Sequence, residues 1–311
     1  MPEPQLASAV LMVRPVRFEP NPQTAASNAF QGEPDASPAA LQEAAQHEFD
    51  RLAGNLRAAG VEVIVVEDTP EPHTPDSIFP NNWVSFHADG RVVLYPMEAE
   101  NRRAERRHDV LEAIGRPVQE LVDLTAHEKA GHFLEGTGSL VLDRRNRVAY
   151  ACLSSRTHLD PLGEFAQRMG YEVVAFDAVD RDGKPIYHTN VLMAVGEELA
   201  VVCAEAILRD EQRAAVLKRL ADSGHEVMTI DYDQLDAFAG NLLELRNGSG
   251  ERVVALSTTA YAALTDAQHE RLVRNGATIV TDIGTIEAAG GGSVRCMLAE
   301  VHLPPAETEA E

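Results

Sequence analysis

NVLMAVGEELAVVC (190–203), DEQRAAVLKRLADSG (210–224) and HEVMTID (225–231) follow one another and read as one folding unit. The first stretch is two apolar runs around Gly196 and two glutamates, a hairpin signal. The second carries leucines and alanines at helical spacing, opens on acids and closes at Gly224. The third is a short, partly β-branched run. The unit is therefore strand, turn, strand, helix, strand.

The same order of element types recurs along the chain without any repeat of the sequence itself. SLVLDRRNRVAYACLS (139–154) precedes LDPLGEFAQRMG (159–170) and YEVVAFDA (171–178). NLLELRNGSGERVVALS (241–257) precedes TDAQHERLVRNG (265–276) and ATIVTDI (277–283). WVSFHADGRVVLYPM (83–97) precedes NRRAERRHDVLEAIG (101–115) and VQELVDL (118–124). A fifth copy is split: VLMVRP (10–15) supplies a strand, ALQEAAQHEFDRLAGNLRAAG (40–60) the helix and VEVIVVED (61–68) the last strand. VRCMLAEVHL (294–303) is expected to pair beside residues 10–15. Alternating strands and helices give an α/β class. Five such units, with the two chain ends meeting in one of them, predict a closed ring: a single α/β domain over 1–311. Residues 1–9 and 304–311 are expected to be flexible termini, and 20–40 to be poorly structured. An ordinary doubly wound sheet is the competing architecture, but no GxGxxG follows a strand, which disfavours its dinucleotide-binding form.

The chain has 311 residues, 44% of them hydrophobic and 24% charged, enough for a real core. Its formal net charge of −22 leaves no basic footprint for nucleic acid. No apolar stretch reaches the length of a membrane span, and no signal peptide is visible, so neither membrane nor secretion is expected. Three widely spaced cysteines without a CxxC fit a reduced, cytoplasmic protein rather than a disulfide framework or a zinc site.

Polar motifs sit in the connections between units: PDSIFPNNW (75–83), HFLEGTGS (132–139), YHTN (187–190), FAGN (238–241) and GGGSVRC (290–296). Loops held by a rigid scaffold are where chemistry usually resides. Cys152 and Cys203 lie in apolar strand patterns and read as core. Cys296 follows a glycine run that lets backbone N–H groups approach a ligand, and neighbouring Arg295 would favour a thiolate. His188, where a loop enters a strand, is either a turn residue or the base that such a nucleophile needs. Glu135, between an apolar pair and a glycine turn, is either a turn-former or the group that orients the imidazole. His132 is a reserve base.

These motifs, in this order, resemble the guanidino-group-modifying superfamily of arginine deiminases, dimethylarginine dimethylaminohydrolases and amidinotransferases. PDSIFPNN resembles its first substrate-binding loop, LEGTGS its LEGGD loop, SSRT (154–157) its small-x-Arg-Thr turn, HTN its His-x-Asp loop and GGGSVRC its nucleophile loop. FPNNW, NRR-x-ER and HTN together look most like the citrulline-utilisation hydrolase branch. The resemblance implies a five-module α/β propeller of pseudo-five-fold symmetry. It implies Cys296 as nucleophile, His188 as acid/base and Glu135 as its partner. Asp76 would bind a substrate α-amino group and Arg156 the α-carboxylate. Arg102 would be a second carboxylate ligand, though Arg103 is adjacent and the register is open. Asn241 reads as a residue that orders its loop. No cofactor and no metal are implied. The partner is a small amino-acid substrate; a homodimer is the one assembly entertained, and the sequence does not fix the oligomeric state.

Relatives acting on guanidinium carry carboxylates where this chain has Asn82 and Asn190. A guanidinium offers only N–H donors, whereas a ureido group offers a carbonyl acceptor that an amide can meet. The expected substrate is therefore citrulline, cleaved to ornithine, carbon dioxide and ammonia. The alternatives are a guanidino-substrate hydrolase or transferase, and a non-catalytic binding propeller like the ribosome anti-association factor of the same architecture.

Overall fold

The computed structural model describes residues 3–32 and 35–306. Its strands form five three-stranded sheets. Four come from contiguous sequence: β3 (Val84–Phe86), β4 (Arg91–Leu94) and β5 (Glu120–Asp123); β6 (Val141–Asp143), β7 (Val148–Cys152) and β8 (Glu172–Phe176); β9 (Met193–Val195), β10 (Leu199–Val202) and β11 (Glu226–Thr229); β12 (Leu243–Arg246), β13 (Arg252–Ser257) and β14 (Ala277–Thr281). The fifth joins β1 (Ala9–Arg14) and β2 (Glu62–Glu67) to β15 (Ala299–Glu300) in the order β15-β1-β2. In every sheet the middle strand is antiparallel to one neighbour and parallel to the other. The antiparallel pair needs only a tight turn. The parallel pair needs a crossover, which is why a helical segment stands before each third strand.

The middle strands β1, β7, β10 and β13 are almost wholly buried, whereas the outer strands β5 and β11 keep one fully buried residue each, Val122 and Met228. The antiparallel outer strands β3, β6, β9, β12 and β15 lie toward the interior, with β15 beside β3 and β9 beside both β6 and β12. The helix Pro38–Ala58 starts at the Ser37 cap, whose side chain accepts from the Ala40 N–H, and buries Leu41, Ala45, Phe49, Leu52 and Leu56 on one face. That face packs into the cluster containing Val10, Met12 and Cys296, so the loop carrying Cys296 rests on the core.

Four expectations are corrected. Residues 3–9 are not a loose terminus: Gln5 donates to the carbonyl oxygens of Leu142 and Val195, and Glu3 is buried against Arg144. Residues 1–2 and 307–311 lie outside the described residues. The segment 21–32, expected to be poorly structured, is a chain of turns packed over the site described next. The expected helix over 101–115 is instead a 3-10 turn, Glu100–Glu105, and one short helix, His108–Glu112. The reason is Arg102, whose side chain is drawn into the interior by buried polar partners. Likewise 294–303 is strand only at β15, because Val294–Met297 winds into a 3-10 turn that presents Cys296.

Candidate active site

Cys296, His188, Asn82, Asp76, Arg102 and Arg156 line one pocket, together with Tyr187, Phe79, Asn28 and the glycines 290–292. Glu135 stands directly behind it. Each side chain arrives on a short loop or on the first turn after one, where the backbone is free to be set by glycine. Gly136 has φ +48°, and a Cβ there would lie 2.2 Å from the Asn81 carbonyl oxygen. This close approach seats the LEGTGS loop on the PNN turn. A Cβ on Gly138 would fall 2.5 Å from Asn82 Nδ2 and 2.7 Å from His188 Nδ1, in the space those two groups share.

His188 Nε2 is 2.9 Å from Glu135 Oε2, and both residues are buried. Burial alone would raise the Glu135 carboxyl, but Arg156, the His188 hydrogen bond and Arg102 outweigh it and hold it at about 2. An ionised carboxylate only accepts, so Nε2 carries the proton and Nδ1 keeps its lone pair. Burial pushes the imidazole down to about 4 against the pull of Glu135, so the ring is a neutral base near pH 7. The Cys296 thiol is raised by burial, opposed by hydrogen bonds from Asn241 and Asn190 and by the field of Arg295. Arg295 favours the thiolate through this field, while its own hydrogen bonds go elsewhere. Its guanidinium turns to Glu300 at 2.7 Å and to the Leu298 carbonyl oxygen at 2.8 Å.

Asp76 and Arg156 stand together, as expected, and both are engaged by the segment 21–32. Asn21 Nδ2 donates to Asp76 Oδ2 at 2.7 Å. Arg156 donates to Ser27 Oγ at 2.7 Å and to the Thr24 carbonyl oxygen at 3.2 Å, and its guanidinium lies 4.8 Å over the Tyr187 ring. Arg102, not Arg103, faces the pocket; Arg103 turns to the carbonyl oxygens of Met97 and Glu98. Arg102 nonetheless has little left for a substrate carboxylate. Its Nε and Nη2 grip Glu105 at 2.8 and 2.9 Å, Nη2 also reaches the carbonyl oxygens of Asp76 and Phe79, and Nη1 donates to Asn82 Oδ1 at 2.8 Å. Of the five donors of a guanidinium, one on Nη1 remains.

Asn190 Nδ2 lies 3.6 Å from the Cys296 sulfur, and Asn241 Nδ2 lies closer, at 3.3 Å. The reserve base His132 is away from this centre, where it pairs with Asp160 at 2.8 Å and stacks on His158. Cys152 and Cys203 are buried in strand surroundings, and burial pushes both thiols up to about 12. Sequence reasoning did not single out Asn21, Thr24, Ser27, Glu105 or Tyr187, although Glu105 lies within NRR-x-ER and Tyr187 within YHTN. The assembly offers a sulfur nucleophile, a neutral base oriented by a carboxylate, and an acid and a base suited to the two charges of an amino acid.

A family model described as N,N dimethylarginine dimethylhydrolase, eukaryotic, matches residues 14–303. No curated protein matches the sequence. Among solved structures, ArgZ, an arginine dihydrolase from the ornithine–ammonia cycle in cyanobacteria, superposes with a TM-score of 0.75 at 17% identity, over 96% of this chain and 41% of that one. The chain thus spans about two fifths of that protein's length. The isolated N-terminal domain of ArgZ with bound substrate gives 0.74 at 17% identity, covering 96% of this chain and 99% of that one. A dimethylarginine dimethylaminohydrolase adduct with S-methyl-L-thiocitrulline gives 0.62 at 15% identity, over 94% and 99% of the two chains.

Proposed function

Because the chain belongs to the N,N dimethylarginine dimethylhydrolase family, and with it to the guanidino-group-modifying superfamily, we propose that it is a cysteine hydrolase that cleaves the ureido group of citrulline. The five like-built sheets are then the blades of an α/β propeller with pseudo-five-fold symmetry. Its inner loops supply Cys296 as nucleophile, His188 as acid/base and Glu135 as the group that orients it. Three free cysteines suit a reducing, cytoplasmic setting.

The observation that carries the substrate is the hydrogen bond from Arg102 Nη1 to Asn82 Oδ1 at 2.8 Å. It fixes which end of the amide is the oxygen, fills one of that oxygen's two acceptor sites and leaves the NH₂ as the donor offered to a ligand. One hydrogen of that NH₂ goes to Asn81 Oδ1 at 3.0 Å and one remains. A guanidinium brings only donors to this donor; a ureido oxygen is its complement. Sites built for particular hydrogen bonds reject analogues that leave their groups unpaired.

In the reaction, the Cys296 proton passes to His188 Nδ1 as sulfur attacks the ureido carbon. The imidazolium returns that proton to the departing ammonia. His188 then takes a proton from water, which adds to the thiocarbamate and expels the sulfur. The carbamate so formed loses carbon dioxide and leaves ornithine. Overall, citrulline and water give ornithine, carbon dioxide and ammonia. Acid–base help of this kind supplies roughly 10²–10⁴ of rate.

A second reading, hydrolysis of a guanidino amino acid, is favoured by the arginine dihydrolase activity named for the ArgZ structures. Incubation with citrulline, arginine and dimethylarginine, with ornithine, citrulline, ammonia and dimethylamine measured, separates the two. Ornithine and ammonia from citrulline, with arginine untouched, is the expected result. Efficient arginine turnover without citrulline turnover overturns the ureido reading, and no turnover of any of them leaves a binding propeller.

A further inference from the structure

We propose that Asn241 is a catalytic residue whose side-chain amide donates a hydrogen bond to the Cys296 sulfur and stabilises it as a thiolate. The inference rests on Cys296 being the nucleophile.

The direction of that hydrogen bond follows from the main chain. Asn241 Oδ1 accepts from the Arg295 N–H at 3.0 Å, and Nδ2 donates to the Asn190 carbonyl oxygen at 2.8 Å. A backbone N–H can only donate and a carbonyl can only accept, so the two ends of the amide cannot be exchanged. The second Nδ2 hydrogen is thereby left for the sulfur, 3.3 Å away, while Oδ1 is more distant at 3.7 Å.

The amide is also rigidly mounted. Asn241 is fully buried, and its N–H donates to the Phe238 carbonyl oxygen at 2.8 Å. A Cβ on the preceding Gly240 would lie 2.5 Å from the Val191 carbonyl oxygen, so the FAGN loop is pressed onto the turn carrying Asn190. A donor held in place before the charge forms needs no reorganisation when it does. Hydrogen bonds to an ionised partner are roughly twice as strong as neutral ones.

Among the side chains around the sulfur, Asn241 makes the closest polar contact. The Arg295 guanidinium is engaged with Glu300 and the Leu298 carbonyl oxygen. Asn190 Nδ2 and Oδ1 stand at 3.6 and 4.0 Å from the sulfur, each farther than Asn241 Nδ2. The same N–H acts in both halves of the reaction: it lowers the cost of deprotonating the thiol towards His188, and it receives the sulfur again when the thiocarbamate is expelled.

The test follows the rate of iodoacetamide alkylation of Cys296 in the full chain from pH 5 to 10, with the labelled peptide identified by mass spectrometry. In Asn241→Ala the midpoint should rise by at least about one pH unit, a tenfold loss of thiolate at any pH below it. The plateau at high pH should be kept. In Asn241→Asp, which keeps the shape but faces the sulfur with a carboxylate, the midpoint should rise further. Citrulline kcat should fall at least tenfold in both, with KM changed less than threefold. A midpoint unmoved in both variants overturns the proposal, because a merely structural asparagine would lower rates without moving it. If neither variant folds, the ¹⁵N-labelled wild type decides. One asparagine side-chain N–H should shift along the thiol titration and lose that response in Cys296→Ser; its absence overturns the proposal. If Cys296 is not labelled in the wild type, or Cys296→Ser keeps its turnover, the nucleophile assignment has failed instead.

Discussion

The Tyr187 hydroxyl donates to the Gly291 carbonyl oxygen at 2.6 Å, which ties the loop ending in His188 to the glycine run that leads to Cys296. His188 and Cys296 come from loops about a hundred residues apart in sequence, so their relative placement depends on cross-links of this kind. Tyr187→Phe keeps the ring under Arg156 and removes only the hydroxyl. Stability should fall by about 1 kcal/mol, read as a lower urea midpoint. Citrulline kcat should fall several-fold with little change in KM. An equal loss in both would mean that the tyrosine acts on substrate binding instead.

Gly138 is the position where a single methyl should separate fold from activity. Its Cβ would enter the space between Asn82 Nδ2 and His188 Nδ1. Gly138→Ala should cut kcat/KM at least tenfold while the circular dichroism spectrum is unchanged. Normal turnover in this variant would mean that neither group works from the position described.

Acid should weaken the contributions of His188 and Glu135 to stability in two stages with one sign. His188 is lowered to about 4 by burial from its ordinary 6.5, so between those values the unfolded chain binds the proton and the folded one does not. Stability from this group is complete above about pH 6.5 and is lost as pH falls towards 4. Glu135, held at about 2 against 4.5, adds a loss of the same sign from about pH 4.5 downward. The part of the pH 7 to pH 5 difference in urea unfolding that comes from His188 should be about 2 kcal/mol; buried His87, also lowered to about 4, adds to the total, and Glu105, raised by burial to about 8, opposes it. His188→Gln should shrink that difference, and an unchanged difference would remove His188 as its source.

The three cysteines should react in a fixed order. Cys296 lines the pocket, whereas burial holds Cys152 and Cys203 at about 12. A limiting dose of iodoacetamide at pH 8 should label Cys296 first, with citrulline slowing the reaction. Earlier labelling of either other cysteine would contradict the assignment.

A carboxylate at position 82 would not be free, because Arg102 already donates to that side chain. Asn82→Asp should lower citrulline kcat/KM by roughly 10- to 100-fold, the effect of losing a donor and facing an acceptor with an acceptor. Arginine should remain a poor substrate in the single variant, since the new charge is paired with Arg102. Only with Asn190→Asp added should arginine binding be measurable by calorimetry. Tight arginine binding by Asn82→Asp alone would show that Arg102 does not control this side chain.

The repeating unit was legible because hairpin turns, helical spacing and β-branched runs are local properties of sequence. The split fifth sheet could be read for the same reason, its pieces being ordinary strands and a helix. Cys296, His188, Glu135, Asp76 and Arg156 stood out through motifs in loops, and the fold does bring them together. The segment 21–32 was not legible. Its order comes from side chains such as Asn21 and Ser27 bonding to groups remote in sequence, and no periodic pattern encodes that. The helix expected over 101–115 failed because burial of Arg102 against Glu105 and Asn82 overrides helical propensity. The position of Asn241 in sequence was plain, but the direction of an amide is set by its partners.

The pairing of Val10 with Glu300 joins strands from near the two ends of the chain. During synthesis the four contiguous sheets can form in turn as they leave the ribosome, since each draws only on neighbouring sequence. The sheet β15-β1-β2 cannot, and β1 must wait with one edge unpaired, a position open to mispairing with other chains. The turn bearing Cys296 immediately precedes β15, so the thiol meets its amide and imidazole only at that last closure. A nascent chain would therefore carry Cys296 as an ordinary thiol without its base, and turnover would begin only at a late moment of maturation.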